Sequence, residues 1–253
     1  MEEAVHSYTR YAAMGDTERM PPQRRASTKS GRKRKAPVAA IAVIVLVLVT
    51  LATHVLVPWA PNTLSGTAFG KGDAWMLVLV NDEHPMGPYQ PELTELKGGQ
   101  AVDSRCYPDL QRMFDAARAA GLRPKVNSSY RSREEQQQVL DDAIAEGVGD
   151  GLSEGEARRL ALRTVAEPGT SEHETGLAID VTSESQTYED NAAVWDWMSE
   201  HSWEHGWILR YPEGKEEITG IDCEPWHFRY VGVAAAREMH ESGQCFEEYL
   251  KQL

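Results

Sequence analysis

Cysteine is scarce in this sequence, and its scarcity limits the sulfur chemistry that the chain can perform. The chain has only three cysteines, Cys106, Cys223 and Cys245. None has the spacing of a cysteine-based zinc site. At most one disulfide can form, which leaves one thiol over. A Cys223–Cys245 bridge would tie the C-terminal segment to the region around Glu224, but sequence alone does not fix the pairing.

Positive charge is also scarce outside the N-terminal segment. The formal net charge of the chain is −13, and its first 57 residues carry nine Lys and Arg against four Asp and Glu, a net of +5. The remaining residues therefore carry a net charge of −18. A domain this acidic is a poor nucleic-acid binder, because contacts to phosphate need Lys and Arg. We expect no nucleic-acid partner, and solubility explains the acidity.

One long hydrophobic run lies near the N-terminus. Ala36 to Val57 is almost wholly apolar, with His54 as its only ionisable residue, and about 20 such residues span a bilayer as a helix. Seven basic residues lie between positions 24 and 35, directly before the run, so the positive-inside rule places the preceding segment in the cytoplasm. The alternative is a cleaved signal peptide, but the run exceeds the usual hydrophobic region of about 7–15 residues. Pro58 to Pro61 is also a poor cleavage site.

These features divide the chain into four predicted segments. Residues 1–35 form a basic, disordered cytoplasmic tail, residues 36–57 an uncleaved transmembrane signal-anchor helix, and residues 58–71 a linker. Residues 72–253 form one extracytoplasmic domain, whose length of about 180 residues suffices to bury a core. The predicted location is the cell membrane, with a single span.

Three stretches of the exported domain have the pattern of a strand. They are Trp75–Val80, Leu177–Val181 and Trp226–Val231. Asp180 alternates with the apolar residues of the second stretch, so we expect it to face a cleft. His227 lies opposite the aromatic residues of the third stretch.

Helical patterns lie between these strands. Apolar spacing predicts a helix from Pro108 to Ala120, ended by Gly121. Ser132 followed by Glu135 has the capping-box pattern that starts another helix. Further helical character occurs near 194–198, 233–240 and 246–250. Helices and short strands in this order predict an α+β fold rather than a doubly wound sheet.

Two histidines and two carboxylates have a pattern that suits a catalytic zinc site. His173 and Asp180 lie in Ser-x-His-x-x-Gly-x-x-x-Asp, and His227 ends a Glu-x-x-His unit that begins at Glu224. A catalytic zinc ion needs three protein ligands, an open position for water and a base that is not a ligand. The two histidines and the aspartate supply the ligands, and Glu224 is the candidate base.

Each of these residues also has an ordinary interpretation. A single histidine is most often a surface or core residue, and Glu-x-x-His recurs by chance. Asp222 is a neighbouring rival for the base, and Glu172 and Glu174 are expected to be solvated or to lie behind the ligands. Arg131 could pair with a surface acid. Beside a zinc cleft in an acidic domain, however, an arginine can bind a substrate carboxylate in bidentate fashion.

Three separate segments carry a family resemblance that covers roughly Trp75 to Leu250. They are Ser129-Tyr130-Arg131-Ser132 with Gln136, the stretch from Ser171 to Asp180, and the stretch from Glu224 to Gly232. Together they resemble the VanY-type D-alanyl-D-alanine carboxypeptidases, which are bacterial zinc peptidases that trim peptidoglycan stem peptides. The resemblance implies a small central antiparallel sheet flanked by helices, as in hedgehog-type domains.

The resemblance also implies roles for individual residues. His173, Asp180 and His227 would bind zinc, and Glu224 would be the catalytic base. Tyr230 would lie behind the ligands. Four residues would line the pocket for the terminal D-Ala of the substrate: Arg131, Gln136, Ser171 and, as the weakest member, Ser129.

The predicted function is that of a membrane-anchored zinc D,D-carboxypeptidase acting on peptidoglycan stem peptides or precursors. One alternative is L,D-carboxypeptidase action on a tetrapeptide with the same site, because the motifs do not separate the two specificities. A second alternative is a non-catalytic wall-binding module, which would be expected to lack the base or a ligand. The sequence does not fix the oligomeric state.

Overall fold

The computed structural model describes residues 74–87 and 89–253. The predicted cytoplasmic tail, membrane anchor and linker lie outside the described residues, so their assignment stays a prediction. Among the helices of the described part, none combines the length and the apolar character that a membrane crossing requires.

Two antiparallel sheets form the strand framework of the described part. The smaller sheet is a pair of strands: β1 (Leu93–Glu95) and β2 (Ala101–Asp103). The larger sheet has four strands: β3 (Pro124–Ser128), β4 (Ala178–Ser183), β5 (Trp207–Leu209) and β6 (His227–Tyr230). Their order is β3-β4-β6-β5. Strand β4 has a hydrogen-bonded partner strand on each side, and all six of its residues are buried.

Helices flank the larger sheet. Seven α-helices lie in the described residues: α1 (Tyr107–Ala119), α2 (Arg133–Gly149), α3 (Glu154–Ala161), α4 (Tyr188–His201), α5 (Glu216–Thr219), α6 (Val233–Ser242) and α7 (Phe246–Leu250). Three short 3-10 helices occur at Lys97–Gly99, Glu172–Thr175 and Ser202–His205. The α+β prediction, with a small antiparallel sheet flanked by helices, is confirmed.

The buried face of α1 is the apolar stripe read from the sequence. Its buried residues are Leu110, Met113, Phe114 and Ala117. The first three join a core cluster with Ile179 and Val181 of β4 and with Phe228 and Tyr230 of β6. The helix stops before Gly121, whose positive φ of 92° is a conformation that glycine adopts readily.

The predicted capping box forms at the start of α2. Ser132 Oγ accepts a hydrogen bond from the backbone N–H of Glu135 at 3.2 Å, and Glu135 Oε2 accepts one from the backbone N–H of Ser132 at 2.7 Å. Two N–H groups that the first helical turn leaves without a partner are thereby satisfied. The start of α2 matters because Arg131 directly precedes the cap residue Ser132.

The predicted strand at Trp75–Val80 is wrong. Residues 74–77 form a turn, and residues 78–80 join no sheet. The carbonyl oxygens of Met76 and Val78 accept hydrogen bonds from Arg229 Nη2, at 3.2 and 2.8 Å. A buried arginine side chain therefore satisfies carbonyls that a neighbouring strand would otherwise pair.

Five strands and α-helices of the described part lacked a readable signal in the sequence, one of them the four-residue helix α5. Strands β1, β2 and β5 have three residues each, which is too short for alternation to be recognised. Helix α3 buries only the small residues Ala157 and Ala161, so no stripe of large apolar residues marks it.

The suggested Cys223–Cys245 bridge does not form. Cys106, Cys223 and Cys245 are all free; Cys223 is exposed, whereas the other two are buried. Burial raises the pKa of the Cys106 thiol. The thiol donates a hydrogen bond to the backbone carbonyl of Asp103 at 3.1 Å. The C-terminal segment is instead held by ionic contacts, described below.

Candidate metal centre and active site

Three residues from separate motifs meet on one side of the sheet. Asp180 on β4 and His227 on β6 are register partners in the antiparallel pair. His173 lies on the 3-10 helix at Glu172–Thr175 that leads into β4. One potential ligand atom from each residue lies within 4.8 Å of the other two. All three residues are buried, so the sheet and its entering turn fix their positions.

His173 is oriented by a backbone carbonyl. Its Nδ1 lies 2.8 Å from the carbonyl oxygen of Ser129, so Nδ1–H donates to that oxygen. The other ring nitrogen, Nε2, then carries a lone pair and lies 3.3 Å from Asp180 Oδ2. Fixing one nitrogen by a hydrogen bond leaves the other available to a metal.

His227 presents its opposite nitrogen to the cluster. Nδ1 lies 3.2 Å from Asp180 Oδ1 and 3.5 Å from Glu224 Oε2. Nε2 points the other way, toward Glu172 Oε2 at 3.7 Å. The ring centroids of the two histidines are 4.9 Å apart and nearly perpendicular. The two imidazoles therefore approach the carboxylate of Asp180 from different directions.

The two histidines differ in charge. Burial and the neighbouring positive charge of Arg131 lower the pKa of His173 to about 4, so its ring is neutral at pH 7. Burial also acts to lower the pKa of His227, but contacts with the carboxylates of Asp180 and Glu172 outweigh it and raise that pKa to about 9. The metal-free site thus holds a proton on His227 that a metal would have to displace.

Glu224 faces the cluster through a turn. Because Glu224 and His227 are three residues apart, a regular strand would direct them to opposite faces. Residues 225–226 instead form a turn, in which the His227 N–H donates to the Glu224 carbonyl at 3.2 Å. Burial and the negative charge of Asp180 raise the pKa of Glu224 to about 8. The carboxyl group therefore lies beside the three residues without being one of them.

Asp222, the rival base, points elsewhere. Its Oδ2 pairs with Arg163 Nη2 at 2.8 Å, and a third of its side chain is exposed. Glu224 is the better-placed carboxylate for chemistry at the cluster.

Arg131 and Ser171 lie close to His173, and Gln136 is a buried residue of α2. The Arg131 N–H donates to the His173 carbonyl at 3.3 Å, and Arg131 Nε is buried without a hydrogen-bond partner in the described residues. Gln136 donates from Nε2 to the Ala166 carbonyl at 2.7 Å, while its Oε1 is buried without a partner in the same part. Ser171 directly precedes the 3-10 helix that carries His173.

The predicted pocket residue Ser129 has a different setting. Its hydroxyl is buried, accepts from the Ala101 N–H at 2.9 Å and donates to Gln100 Oε1 at 2.7 Å. Its carbonyl orients His173. Ser129 therefore supports the site through its backbone, and the hydrogen bonds of its hydroxyl are already taken up within the fold.

The expectation for Tyr230 needs correction, and the alternatives left open for Glu172 and Glu174 are decided. Tyr230 lies in the hydrophobic core and donates its hydroxyl to Asp109 Oδ2 at 2.7 Å, so it does not stand behind the ligands. Glu172 and Glu174 are not solvated, since both are buried. Glu174 accepts from the Gly169 N–H at 2.5 Å, whereas Glu172 lies directly behind His227.

The donor set fits a divalent cation. Two imidazole nitrogens and one carboxylate are the ligand types of catalytic zinc sites. Asp180 Oδ1 is buried and forms no hydrogen bond within the described residues. It faces His227 Nδ1 at 3.2 Å. A buried carboxylate needs a positive partner of this kind, and a cation held among the three residues would supply one. With its buried triad and its free carboxylate, the site has the form of a metallopeptidase site.

Comparison with known proteins places this domain in a family. Residues 99–233 match the family model VanY, D-alanyl-D-alanine carboxypeptidase. The chain is 45% identical over 192 residues to a D-alanyl-D-alanine carboxypeptidase of Enterococcus faecalis, a match that covers 75% of this chain and 71% of the relative. The chain therefore belongs to the VanY D-alanyl-D-alanine carboxypeptidase family.

Solved structures support the same placement. One is a mutant of the vancomycin resistance D,D-pentapeptidase VanY from a VanB-type resistance cassette, in complex with Zn(II). It is 44% identical with a TM-score of 0.67, and the match covers 70% of this chain and 99% of that one. A second is the LD-carboxypeptidase LdcB, 31% identical with a TM-score of 0.59, covering 69% of this chain and 85% of that one.

Proposed function

We propose that this chain is a zinc-dependent D,D-carboxypeptidase that removes the C-terminal D-Ala from peptidoglycan stem peptides or precursors. The observation that carries the proposal is the buried His173, Asp180 and His227 cluster with Glu224 beside it. Membership of the VanY family supports carboxypeptidase chemistry. A related VanY structure contains Zn(II), which supports zinc as the metal.

Three residues would hold the metal: His173 through Nε2, His227 through Nδ1 and Asp180 through its carboxylate. When bound in such a site, zinc lowers the pKa of a water molecule and polarises the scissile carbonyl. Asp180 is the negatively charged member of the three, and each of its two carboxylate oxygens faces one histidine. The remaining chemistry falls to the protein's own side chains.

Glu224 would act as the general base and then as the general acid. Its carboxylate accepts a proton from the attacking water and delivers that proton to the leaving amine of D-Ala. Burial supports the second half of this cycle, because a carboxyl group with a raised pKa is a competent acid near neutral pH. A nearby dication shifts that pKa down and makes the carboxylate available for the first half.

Arg131 would bind the terminal carboxylate of the substrate. Its backbone is tied to His173, which holds the side chain at the edge of the cluster. An Arg fork pairs with a carboxylate through two parallel hydrogen bonds, and this geometry selects for a free C-terminus. Gln136 and Ser171 would complete the pocket for the last residue of the substrate.

Membrane anchoring belongs to the same proposal. The hydrophobic segment at 36–57 and its basic flank would fix the enzyme to the cytoplasmic membrane with the catalytic domain outside. In that position the active site faces the cell wall. Extraction of the full-length product only with detergent, and its protection from protease at the N-terminal tail in intact cells, would support this topology.

The deciding experiment is incubation of the zinc-loaded protein with a stem pentapeptide and, separately, a tetrapeptide, with products read by mass. Loss of one alanine from the pentapeptide alone is the expected result. Loss from the tetrapeptide alone would replace the proposal by L,D-carboxypeptidase activity, which the likeness to LdcB keeps as the second candidate. No loss from either peptide, with zinc bound, would favour the wall-binding module.

A further inference from the structure

A buried group of four charged side chains lies directly behind His227. Arg210 Nε donates to Glu172 Oε1 at 2.8 Å, and Arg229 Nη1 donates to the same oxygen at 2.9 Å. Arg210 also pairs with both oxygens of Glu247, at 2.5 and 3.0 Å. All four side chains are almost completely buried. The group contains two cations and two anions, so its formal charges cancel.

One oxygen of Glu172 is left out of this group. Oε1 accepts both arginine hydrogen bonds, whereas Oε2 is buried and has no hydrogen-bond partner in the described residues. His227 Nε2 is likewise buried without a partner there. These two atoms face each other at 3.7 Å. Closing that distance to about 3 Å would satisfy both atoms in a single hydrogen bond.

The direction of that hydrogen bond is fixed by chemistry. A carboxylate held by two guanidinium groups is ionised and can only accept. His227 Nε2 must therefore donate, which places the ring proton on Nε2. A neutral imidazole has one protonated nitrogen, so its lone pair then lies on Nδ1. Nδ1 is the nitrogen that faces Asp180.

We propose that Glu172 is a positioning residue that fixes His227 in the tautomer whose Nδ1 binds the metal. The inference rests on the proposed metal site but not on the substrate. The two arginines hold the Glu172 carboxylate in place. Arg210 extends the support to Glu247 on α7, and Arg229 extends it to the carbonyls of residues 76 and 78.

The isosteric variant Glu172→Gln tests this role. Its amide oxygen must stay on the arginines, because an NH₂ group there would face two donors. The amide nitrogen then replaces Oε2 and points at His227 Nε2. A donor at that point stabilises the tautomer with the proton on Nδ1, which cannot bind the metal. We expect the zinc dissociation constant of the full-length protein to rise about 10- to 100-fold.

Glu247→Gln is the matched control. Glu247 belongs to the same buried group, but its carboxylate accepts hydrogen bonds from Arg210 and does not face His227 Nε2 as Glu172 does. The Glu247→Gln substitution removes one negative charge from the group, as Glu172→Gln does. It should therefore lower thermal stability about as much as Glu172→Gln, but change the zinc dissociation constant by less than about threefold. Equal losses of zinc affinity in the two variants would reduce Glu172 to a purely structural role and overturn the proposal. An unchanged zinc affinity in Glu172→Gln would also overturn it.

A measurement on the unmodified protein covers the case in which Glu172→Gln does not fold. Long-range ¹H–¹⁵N spectra of the zinc-loaded full-length protein, labelled in its histidine rings, report which nitrogen of His227 carries the proton. A protonated Nε2 with Nδ1 bound to zinc supports the proposal, and the reverse assignment overturns it. Neither readout uses peptide turnover. A wild-type protein that binds zinc without releasing D-Ala would therefore refute the proposed function while leaving the Glu172 result intact.

Discussion

Asp180 Oδ1 lies 3.2 Å from His227 Nδ1, and the two residues are register partners on the adjacent strands β4 and β6. Two of the three metal-site residues are therefore held by the same antiparallel ladder. Cross-strand partners have their side chains about 5 Å apart on one face of the sheet. The site consequently sits on rigid elements, which favours precise placement of ligands.

Replacement of Glu224 by Gln should strongly reduce turnover and leave zinc bound. Glu224 lies 3.5 Å from His227 but is not one of the three grouped metal-site residues. Removal of a general acid–base lowers kcat by about 10²- to 10⁴-fold. Stopped assays on the pentapeptide, with zinc content measured on the same sample, give both quantities. Near wild-type turnover in this variant would remove Glu224 from the catalytic role.

Removal of the metal should lower thermal stability. A ligand at 100 times its dissociation constant adds about 2.7 kcal/mol to the stability of the state that binds it. For a domain of this size that corresponds to a Tm increase of about 5–10 °C. Thermal unfolding after chelation and after zinc is restored measures the difference. Asp180→Asn, which replaces the carboxylate by a neutral amide, should show no zinc-dependent shift at the same concentration.

Zinc affinity should rise with pH between pH 6 and about pH 8. His227 has a pKa raised to about 9 by Asp180 and Glu172 against the opposing effect of burial, so it is protonated in the metal-free protein over this range. Zinc binding must displace that proton, which gives a gain in affinity of at least about tenfold per pH unit. Glu224, whose pKa is raised to about 8, adds to this slope because a bound dication would lower that pKa. His173, with a pKa lowered to about 4, adds no slope here. Competition titrations against a chelator of known pH dependence measure the zinc affinity at each pH. An affinity that does not change between pH 6 and about pH 8 would contradict this account.

Arg131→Lys should lower kcat/KM on peptides with a free C-terminal carboxylate by about 10- to 100-fold. Lysine keeps the charge but loses the planar fork that pairs with both carboxylate oxygens. Arg118→Lys on the exposed face of α1 provides a matched control and should have no effect. The same loss on peptides with an amidated C-terminus would mean that Arg131 does not recognise the carboxylate.

Gly176→Ala should destabilise the domain by about 1–3 kcal/mol. Gly176 has a φ of 71°, and an added Cβ would lie 3.0 Å from the backbone nitrogen of Asp103. Gly149→Ala is the control, because it lies at the end of α2 with open space around it. Urea unfolding should show a loss for the first variant and little change or a small gain for the second. Equal stabilities would contradict the strain argument.

The sequence by itself determined the local features of this protein. The spacing of Leu110, Met113, Phe114 and Ala117 predicted the buried face of α1, and Ser132 with Glu135 predicted the start of α2. Alternation placed Asp180 and His227 opposite the apolar faces of their strands. These predictions succeed because helix and strand periods and capping hydrogen bonds depend on residues close together in the chain.

Only the tertiary structure decided which distant groups complete the site. The Ser129 carbonyl contacts His173, and the Glu172 carboxylate lies behind His227, although each pair is far apart in the sequence. The turn that directs Glu224 toward His227 breaks the regular strand pattern. The failed strand at Trp75–Val80 has the same cause, because Arg229 reaches its carbonyls across more than 150 positions of sequence. Hydrogen bonds and ion pairs between distant segments leave no periodic signal, so their partners emerge only when the chain is folded.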